Sequence, residues 1–232
     1  VGRKLILLRH GQTHYNATLR MQGQLDTELS EFGRGQARSA AAALAARGPV
    51  RIVSSDLRRA LDTAGALAAE TGLEVHTDPR LRETDLGDWQ GMSHSEVDER
   101  WPGARGRWRC SPRWAPPGGE SRVDVARRTR EVVDELVERV EDWGPHPVVL
   151  VAHGGAIAAL TAALVELPVE QFAVFNGLGN TCWAQLSAHP RPDPAWGPRE
   201  STEVGPTTPA AREVLWRLDA WNVAPVELRG AA

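Results

Sequence analysis

The chain is poor in lysine: Lys4 is the only one among its 27 basic residues, and the rest are arginine. Genome base composition accounts for such a bias as a whole, and a need for planar oxyanion-binding forks applies only to a few of these arginines. Cysteine is equally scarce. Cys110 and Cys182 give no disulfide framework, so a reducing cytoplasm is the expected compartment. No apolar stretch approaches the length of a membrane span, and no membrane partner is expected. Arg3 and Lys4 before an apolar run imitate the start of a signal peptide. That run, Leu5-Ile6-Leu7-Leu8, is shorter than the ~7–15 apolar residues such a peptide needs, and no small-residue cleavage site follows. The formal net charge of −3 supplies no general basic field, which argues against a nucleic-acid partner. No metal-ligand cluster and no internal repeat is visible. What is there is an ordinary globular composition, 41% hydrophobic and 25% charged over 232 residues, enough for one large α/β domain with a sizeable core.

Strand-like and helix-like patterns alternate, which predicts a mostly parallel sheet with helices on its faces. Leu5–Leu8 reads as a buried strand. After a polar loop over 11–29, Ser30 caps a helix that runs to about Arg47 and stops at Gly48. Arg51-Ile52-Val53 reads as a short strand and Ser54 or Ser55 as the cap of a second helix. In that helix Leu57, Ala60, Leu61, Ala64, Leu67 and Ala68 fall at helical spacing up to Gly72. Leu73–Thr77 gives a third strand. The stretch from about Arg80 to Glu120 is less regular and holds Trp89, Trp101, Trp108 and Trp114. It reads as an insertion covering the C-terminal edge of the sheet, within a single domain over 1–232. A long helix is expected from about Ser121 to Trp143, stopped by Gly144-Pro145, then a strand at Val148–Val151 and a helix from about Gly155 to Val165. Thr181–Ser187 and Val214–Leu218 read as strands, with a loose loop at 189–209 between them and a fraying Ala/Gly tail at the end.

Two of these strands end in chemistry. The first runs into Arg9-His10-Gly11, where glycine lets the backbone turn, and the fourth into Ala152-His153-Gly154-Gly155. Strand ends are where open α/β sheets hold their ligands, so the two corners point to one site built from both ends of the sequence. A lone histidine is more often structural than functional. Beside Arg9, however, His10 makes a poor metal ligand, because a fixed cation repels the ion. An anion suits the pair: arginine grips phosphate with a planar fork, and strand-to-turn N–H groups add to an anion nest. A second arginine arrives in Ser54-Ser55-Asp56-Leu57-Arg58-Arg59-Ala60, again at a strand end feeding a helix. Arg58 and Arg59 point about 100° apart on that helix, so only one faces the site. Glu83, in Leu81-Arg82-Glu83, reads either as a solvated carboxylate or as a general acid and base beside a cationic pocket.

Arg9-His10-Gly11-Gln12-Thr13 with Asn16, Ser54–Ala60, Leu81-Arg82-Glu83 and Val151–Gly155 resemble, in this order, the signature segments of the histidine phosphatase superfamily, the phosphoglycerate-mutase-like fold. Arg-His-Gly alone is unspecific; the four segments together, spread over nearly the whole chain, are specific. The resemblance implies a three-layer α/β sandwich with a mostly parallel central sheet and helices on both faces. It implies that His10 accepts a phosphoryl group and that Arg9, Arg59 and a protonated or hydrogen-bonding His153 hold its oxygens. Glu83 would protonate the leaving oxygen and later take a proton from water. Asn16, Gln22, Gly23 and Gly154 fall where relatives contact phosphate or the rest of the substrate. His10 must attack as neutral imidazole, so its other ring nitrogen should donate to a backbone carbonyl near Gly11. No cofactor and no metal are implied. The partner is a small-molecule phosphate ester, and a homodimer is expected because relatives are often dimers.

Glu83-Thr84-Asp85-Leu86-Gly87-Asp88-Trp89-Gln90-Gly91 has the form Glu-x-x-x-Gly-x-Trp-x-Gly common among dephosphorylating members. Glycolytic mutases that resemble this chain usually carry a longer, more basic insertion, whereas Asp85, Asp88, Glu96, Asp98 and Glu99 make this one acidic. A phosphatase is therefore expected; a mutase, a broad phosphomonoesterase and a non-enzymatic phospho-ligand binder are the competing readings. Met21–Ser30, Trp114-Ala115-Pro116 followed by Gly118–Ala126, and Trp216–Asn222 resemble the actinobacterial glucosyl-3-phosphoglycerate phosphatases; segments 100–113 and 188–212 match less well. That resemblance implies hydrolysis of glucosyl-3-phosphoglycerate to glucosylglycerate, within methylglucose lipopolysaccharide synthesis. Arg20, Arg82, Arg109 and Arg113 are candidates for the substrate carboxylate. Trp89, Trp108 and Trp114 either stack on its sugar or pack the insertion onto the domain. Trp143, Trp183, Trp216 and Trp221 read as core.

Overall fold

The computed structural model describes residues 2–141, 143–192 and 202–225. At its centre β1 (Lys4–Arg9) leaves no apolar side chain to water: Leu5–Leu8 are all at most 3% exposed. The period of two along a strand sends Leu5 and Leu7 to one core and Ile6 and Leu8 to another, as in a sheet held between helices. β2 (Arg51–Ser54), β3 (Val75–Thr77) and β4 (Pro147–Ala152) lie parallel to β1. β5 (Trp183–Pro190) runs antiparallel to it, and β6 (Val214–Val223) antiparallel to β5, in the order β3-β2-β4-β1-β5-β6.

The helices are α1 (His14–Ala17), α2 (Glu31–Ala45), α3 (Arg58–Thr71), α4 (His94–Arg100), α5 (Ala104–Cys110), α6 (Arg122–Arg139), α7 (Gly154–Leu164) and α8 (Pro209–Arg212). α2 and α3 cover one face, where Ala40, Leu44, Ala64 and Leu67 meet Ile6, Leu8, Ile52 and Val149. α6 and α7 cover the other, where Val133, Val137, Ile157 and Leu160 pack on Leu5, Leu7, Val148 and Leu150. This is the mostly parallel, helix-covered sheet that the sequence pattern predicts. Among the described residues no helix is long and apolar enough to cross a membrane.

Ser30 caps α2 by accepting from Gly33 N, and Gly72 ends α3 in the left-handed conformation (φ 72°). The expected cap of α3 is absent. Leu57 occupies that position without a side-chain bond; Ser54 is the last residue of β2 and Ser55 follows it. α6 stops at Arg139, short of the expected Trp143, because Val140 is extended and Trp143 turns into the core against Trp216, its Nε1 donating to Lys4 O at 2.7 Å. β6 runs on to Val223 because β5 offers it a pairing edge. The expected 189–209 loop falls partly on 193–201, and the Ala/Gly tail on 226–232, both outside the described residues.

The stretch 80–120 holds α4, α5 and two short 3₁₀ turns, one of which is Gly87–Trp89. Its core is Trp89, 0% exposed, with Trp101, Trp108 and Trp114 around it at ring distances of 6.3, 5.9 and 5.5 Å. Trp89 therefore cannot stack on a sugar: its faces are taken by other tryptophans. Met21 joins this cluster, and Met21 N to Met92 O (2.9 Å) and Gly91 N to Met21 O (2.8 Å) tie it to the loop that leaves β1.

Candidate active site

β1, β2 and β4 end level with one another: Arg9 pairs with Ala152, and Ser54 with Val151. The next residues along β1 and β2, His10 and Ser55, and His153 after β4 thus arrive at one edge. His10 N donates to Ala152 O (3.1 Å), and Ser55 N to Val151 O (2.9 Å).

His10 is buried, and its Nδ1 lies 2.7 Å from Gly11 O. A carbonyl only accepts, so Nδ1 carries the hydrogen and Nε2 keeps its lone pair. Burial, then the charges of Arg59 and Arg9, hold the imidazole well below its ordinary pKa of 6.5, in the neutral form. The His10 carbonyl accepts from Thr181 N (3.2 Å) and Asn180 Nδ2 (3.1 Å). Gly11 is needed for space rather than for turning: its φ is not positive, but a Cβ there would stand 2.4 Å from Gly33 O.

Arg59 faces this corner and Arg58 faces solvent, paired with Glu28 at 2.6 Å. Arg59 donates from Nη1 to Leu25 O (2.7 Å) and from Nη2 to Gly23 O (2.8 Å), and burial lowers its pKa to about 10. Arg9 donates from Nη1 to Leu178 O and is lowered by burial, against the opposing charge of Glu83. Arg9 packs on Gly154, where a Cβ would stand 3.6 Å from its Nε. His153 is fully buried, its ring centre 5.2 Å from that of His10 and its Nε2 2.9 Å from Ser55 Oγ. Of the two states expected for His153, the surroundings of the ring favour the neutral, hydrogen-bonding one. Burial, followed by the charge of Arg59, keeps its pKa well below 6.5. Three polar atoms of this corner are buried without a partner among the described residues: Arg9 Nε, Arg59 Nε and His153 Nδ1. Buried donors left unpaired are unfavourable, and an anion would satisfy them.

Glu83 is not a solvated carboxylate. Its Oε1 accepts from Thr84 N (2.8 Å) and Ala156 N (3.0 Å), and its Oε2 from Gly155 N (3.0 Å), at the N-terminus of α7. Gly155 makes this seat: a Cβ there would stand 2.6 Å from Oε1. Asn16 Oδ1 accepts from Thr13 N (3.1 Å) and Asn180 Nδ2 (3.2 Å), and Gln22 Oε1 from Thr13 Oγ1 (2.8 Å) and Thr27 Oγ1 (2.7 Å). With both amide oxygens engaged, the amide NH₂ groups remain as donors. Gly23 has φ 53° and lends its carbonyl to Arg59.

The structure separates the other candidates. Arg82 is held by Asp56 (2.8 Å), Arg113 by Glu203 (2.6 Å) and Glu170 (3.2 Å), and Arg20 by Gly91 O (2.8 Å) and Glu96 (3.6 Å). Arg109 has no carboxylate partner among the described residues. Trp108 and Trp114 are half-buried on Trp89, and the Arg122 guanidinium sits 5.7 Å from the Trp108 ring centre. Two residues of the corner escape the sequence reading. Ser55 stands in a recognised segment but reads as a helix cap. Asn180 carries no signal at all, because only the pairing of β5 with β1 brings it to His10. Among the described residues, no group of three or more His, Cys, Asp or Glu could hold a metal ion.

The chain belongs to the histidine phosphatase superfamily (branch 1), which it matches over residues 5–192. It is 58% identical to a glucosyl-3-phosphoglycerate phosphatase of Mycolicibacterium vanbaalenii, covering 96% of this chain and 95% of that one. It is 35% identical to phosphoserine phosphatase 1 of Hydrogenobacter thermophilus, over 81% of this chain and 88% of that one. The structure of a mycobacterial glucosyl-3-phosphoglycerate phosphatase complexed with VO₃ superposes with a TM-score of 0.85 at 54% identity, covering 96% of this chain and 100% of that one.

Proposed function

We propose that this superfamily member is a phosphoric monoester hydrolase that works through a phosphohistidine at His10, and that its substrate is glucosyl-3-phosphoglycerate. The products are glucosylglycerate and phosphate. The observation that carries this reading is a neutral His10 with Nδ1 committed to Gly11 O, beside three buried polar atoms that lack a partner. The identity of 55–58% to glucosyl-3-phosphoglycerate phosphatases over 96% of the chain supports the substrate.

In the first step the Nε2 lone pair of His10 forms a bond to phosphorus as the bond to the glycerate oxygen breaks. Charge spreads over the equatorial oxygens, and the Nε–H groups of Arg9 and Arg59, His153 Nδ1 and the amides of Asn16 and Gln22 receive it without rearranging. Glu83, oriented by the N–H groups of Thr84, Gly155 and Ala156, gives a proton to the leaving oxygen. In the second step it takes a proton from the water that attacks the phosphohistidine, and His10 is restored. The reading includes a single domain whose segment 80–120 covers the site, a cytoplasmic location and a homodimer; sedimentation checks the last.

A kinetic panel tests the function. The highest kcat/KM is expected on glucosyl-3-phosphoglycerate. Equal values on phosphoserine and nitrophenyl phosphate would make the enzyme a broad phosphatase. Rapid formation of 2-phosphoglycerate from 3-phosphoglycerate and a bisphosphoglycerate primer would make it a mutase, and no turnover of any ester would make it a binder.

A further inference from the structure

We propose that Ser55 is a positioning residue that fixes the tautomer of His153, so that the buried Nδ1 presents a hydrogen to the phosphoryl oxygens. The role rests on the phosphoryl site proposed above. Ser55 and His153 are both fully buried, with Ser55 Oγ 2.9 Å from His153 Nε2. Burial and the charge of Arg59 disfavour the protonated ring, and a neutral ring carries one hydrogen, on one nitrogen or the other.

The hydroxyl decides which. It has one hydrogen and two lone pairs. Leu57 N donates to Oγ at 3.3 Å and occupies one lone pair. The neighbouring Ser54 hydroxyl donates to Ser55 O at 2.8 Å and not to Oγ. For its own hydrogen, Ser55 has one acceptor in reach among the described residues, His153 Nε2. If the hydroxyl donates there, Nε2 is bare and the ring hydrogen sits on Nδ1. The reverse arrangement leaves the Ser55 hydrogen buried without an acceptor. It also turns an Nδ1 lone pair toward the anion that Arg9 and Arg59 attract. Ser55 is held for this task by its backbone: Ser55 N donates to Val151 O, two residues before His153, at 2.9 Å.

The test is the ¹⁵N spectrum of the His153 ring, together with orthovanadate affinity, in the wild type, Ser55→Ala and Ser55→Thr. Nδ1 should be protonated in the wild type. Ser55→Ala should shift the ring toward a tautomer mixture and weaken orthovanadate binding about tenfold, the effect of one lost hydrogen bond to a charged group. Ser55→Thr should restore both. A wild-type ring protonated at Nε2 overturns the proposal, and so does Ser55→Ala with unchanged spectrum and affinity. If Ser55→Ala fails to fold, the wild-type spectrum alone decides. Orthovanadate that fails to bind the wild type counts against the phosphoryl site, while the spectrum still decides the tautomer.

Discussion

Arginines are used differently at the strand-end corner and around segment 80–120. Arg9 and Arg59 donate to the carbonyls of Leu178, Leu25 and Gly23, and among the described residues neither has a carboxylate within 4 Å. Arg80, Arg82, Arg105 and Arg113 each grip a carboxylate: Asp78 with Glu135, Asp56, Asp98, and Glu203. A carbonyl orients a guanidinium without neutralising it, whereas a carboxylate cancels its charge. The corner therefore keeps positive charge in a dry place, where it acts strongly on an incoming anion. These arginines of segment 80–120 sit in partly exposed ion pairs, which contribute little each. In a chain with 26 arginines and one lysine, burial together with the partner, and not the residue type, sets the corner pair apart.

The comparison breaks or sharpens under mutation. His10→Ala should have the largest effect, lowering turnover at least about a thousandfold. A quenched wild-type reaction should contain an acid-labile, base-stable phosphoprotein that the variant lacks. Next, Arg59→Ala should lower kcat/KM by about 10²–10³, while Arg82→Ala should stay within about threefold, because its charge is already cancelled by Asp56. Equal losses would erase the distinction between the two regions. Glu83→Gln should slow substrates with poor leaving groups about a hundredfold and nitrophenyl phosphate far less; equal slowing would remove its role as acid.

The smallest effect is on stability against pH. His10 and His153 are neutral in the fold and titrate near 6.5 when unfolded. Below pH 6.5 the unfolded chain binds protons that the folded chain does not. Stability present above 6.5 is thus lost progressively as pH falls toward the depressed folded values. The urea midpoint should drop between pH 7 and pH 5, and less steeply in His10→Ala.

Much of this was legible before folding. Leu5–Leu8 and Val148–Val151 declare buried strands by composition alone, and the Ser30 cap and the Gly72 stop are local chemistry. The corner was legible too, since a charged trio directly after an apolar run marks a strand end. Ser55 was misread because a serine before a helix looks the same whether its hydroxyl caps that helix or reaches across to β4. For Trp89 the choice between sugar stacking and packing stayed open, because four nearby tryptophans do not reveal which one the others enclose.

The sequence by itself determined the strands, the helices and the residue types delivered to the strand ends, because these depend on neighbours along the chain. Only the tertiary structure decided which of them meet. It set His10 beside His153 through the pairing of β1 with β4, brought Asn180 to the His10 carbonyl through β5, and seated Glu83 on the first N–H groups of α7. Among the described residues it also left Arg9 and Arg59 without carboxylate partners. Charge partners, burial and the location of a ring hydrogen are set by groups far apart in sequence, and no local pattern encodes them. The Arg-His-Gly corner was written in the first eleven residues; the positive, unpaired surroundings that give it a chemistry were assembled from the whole chain.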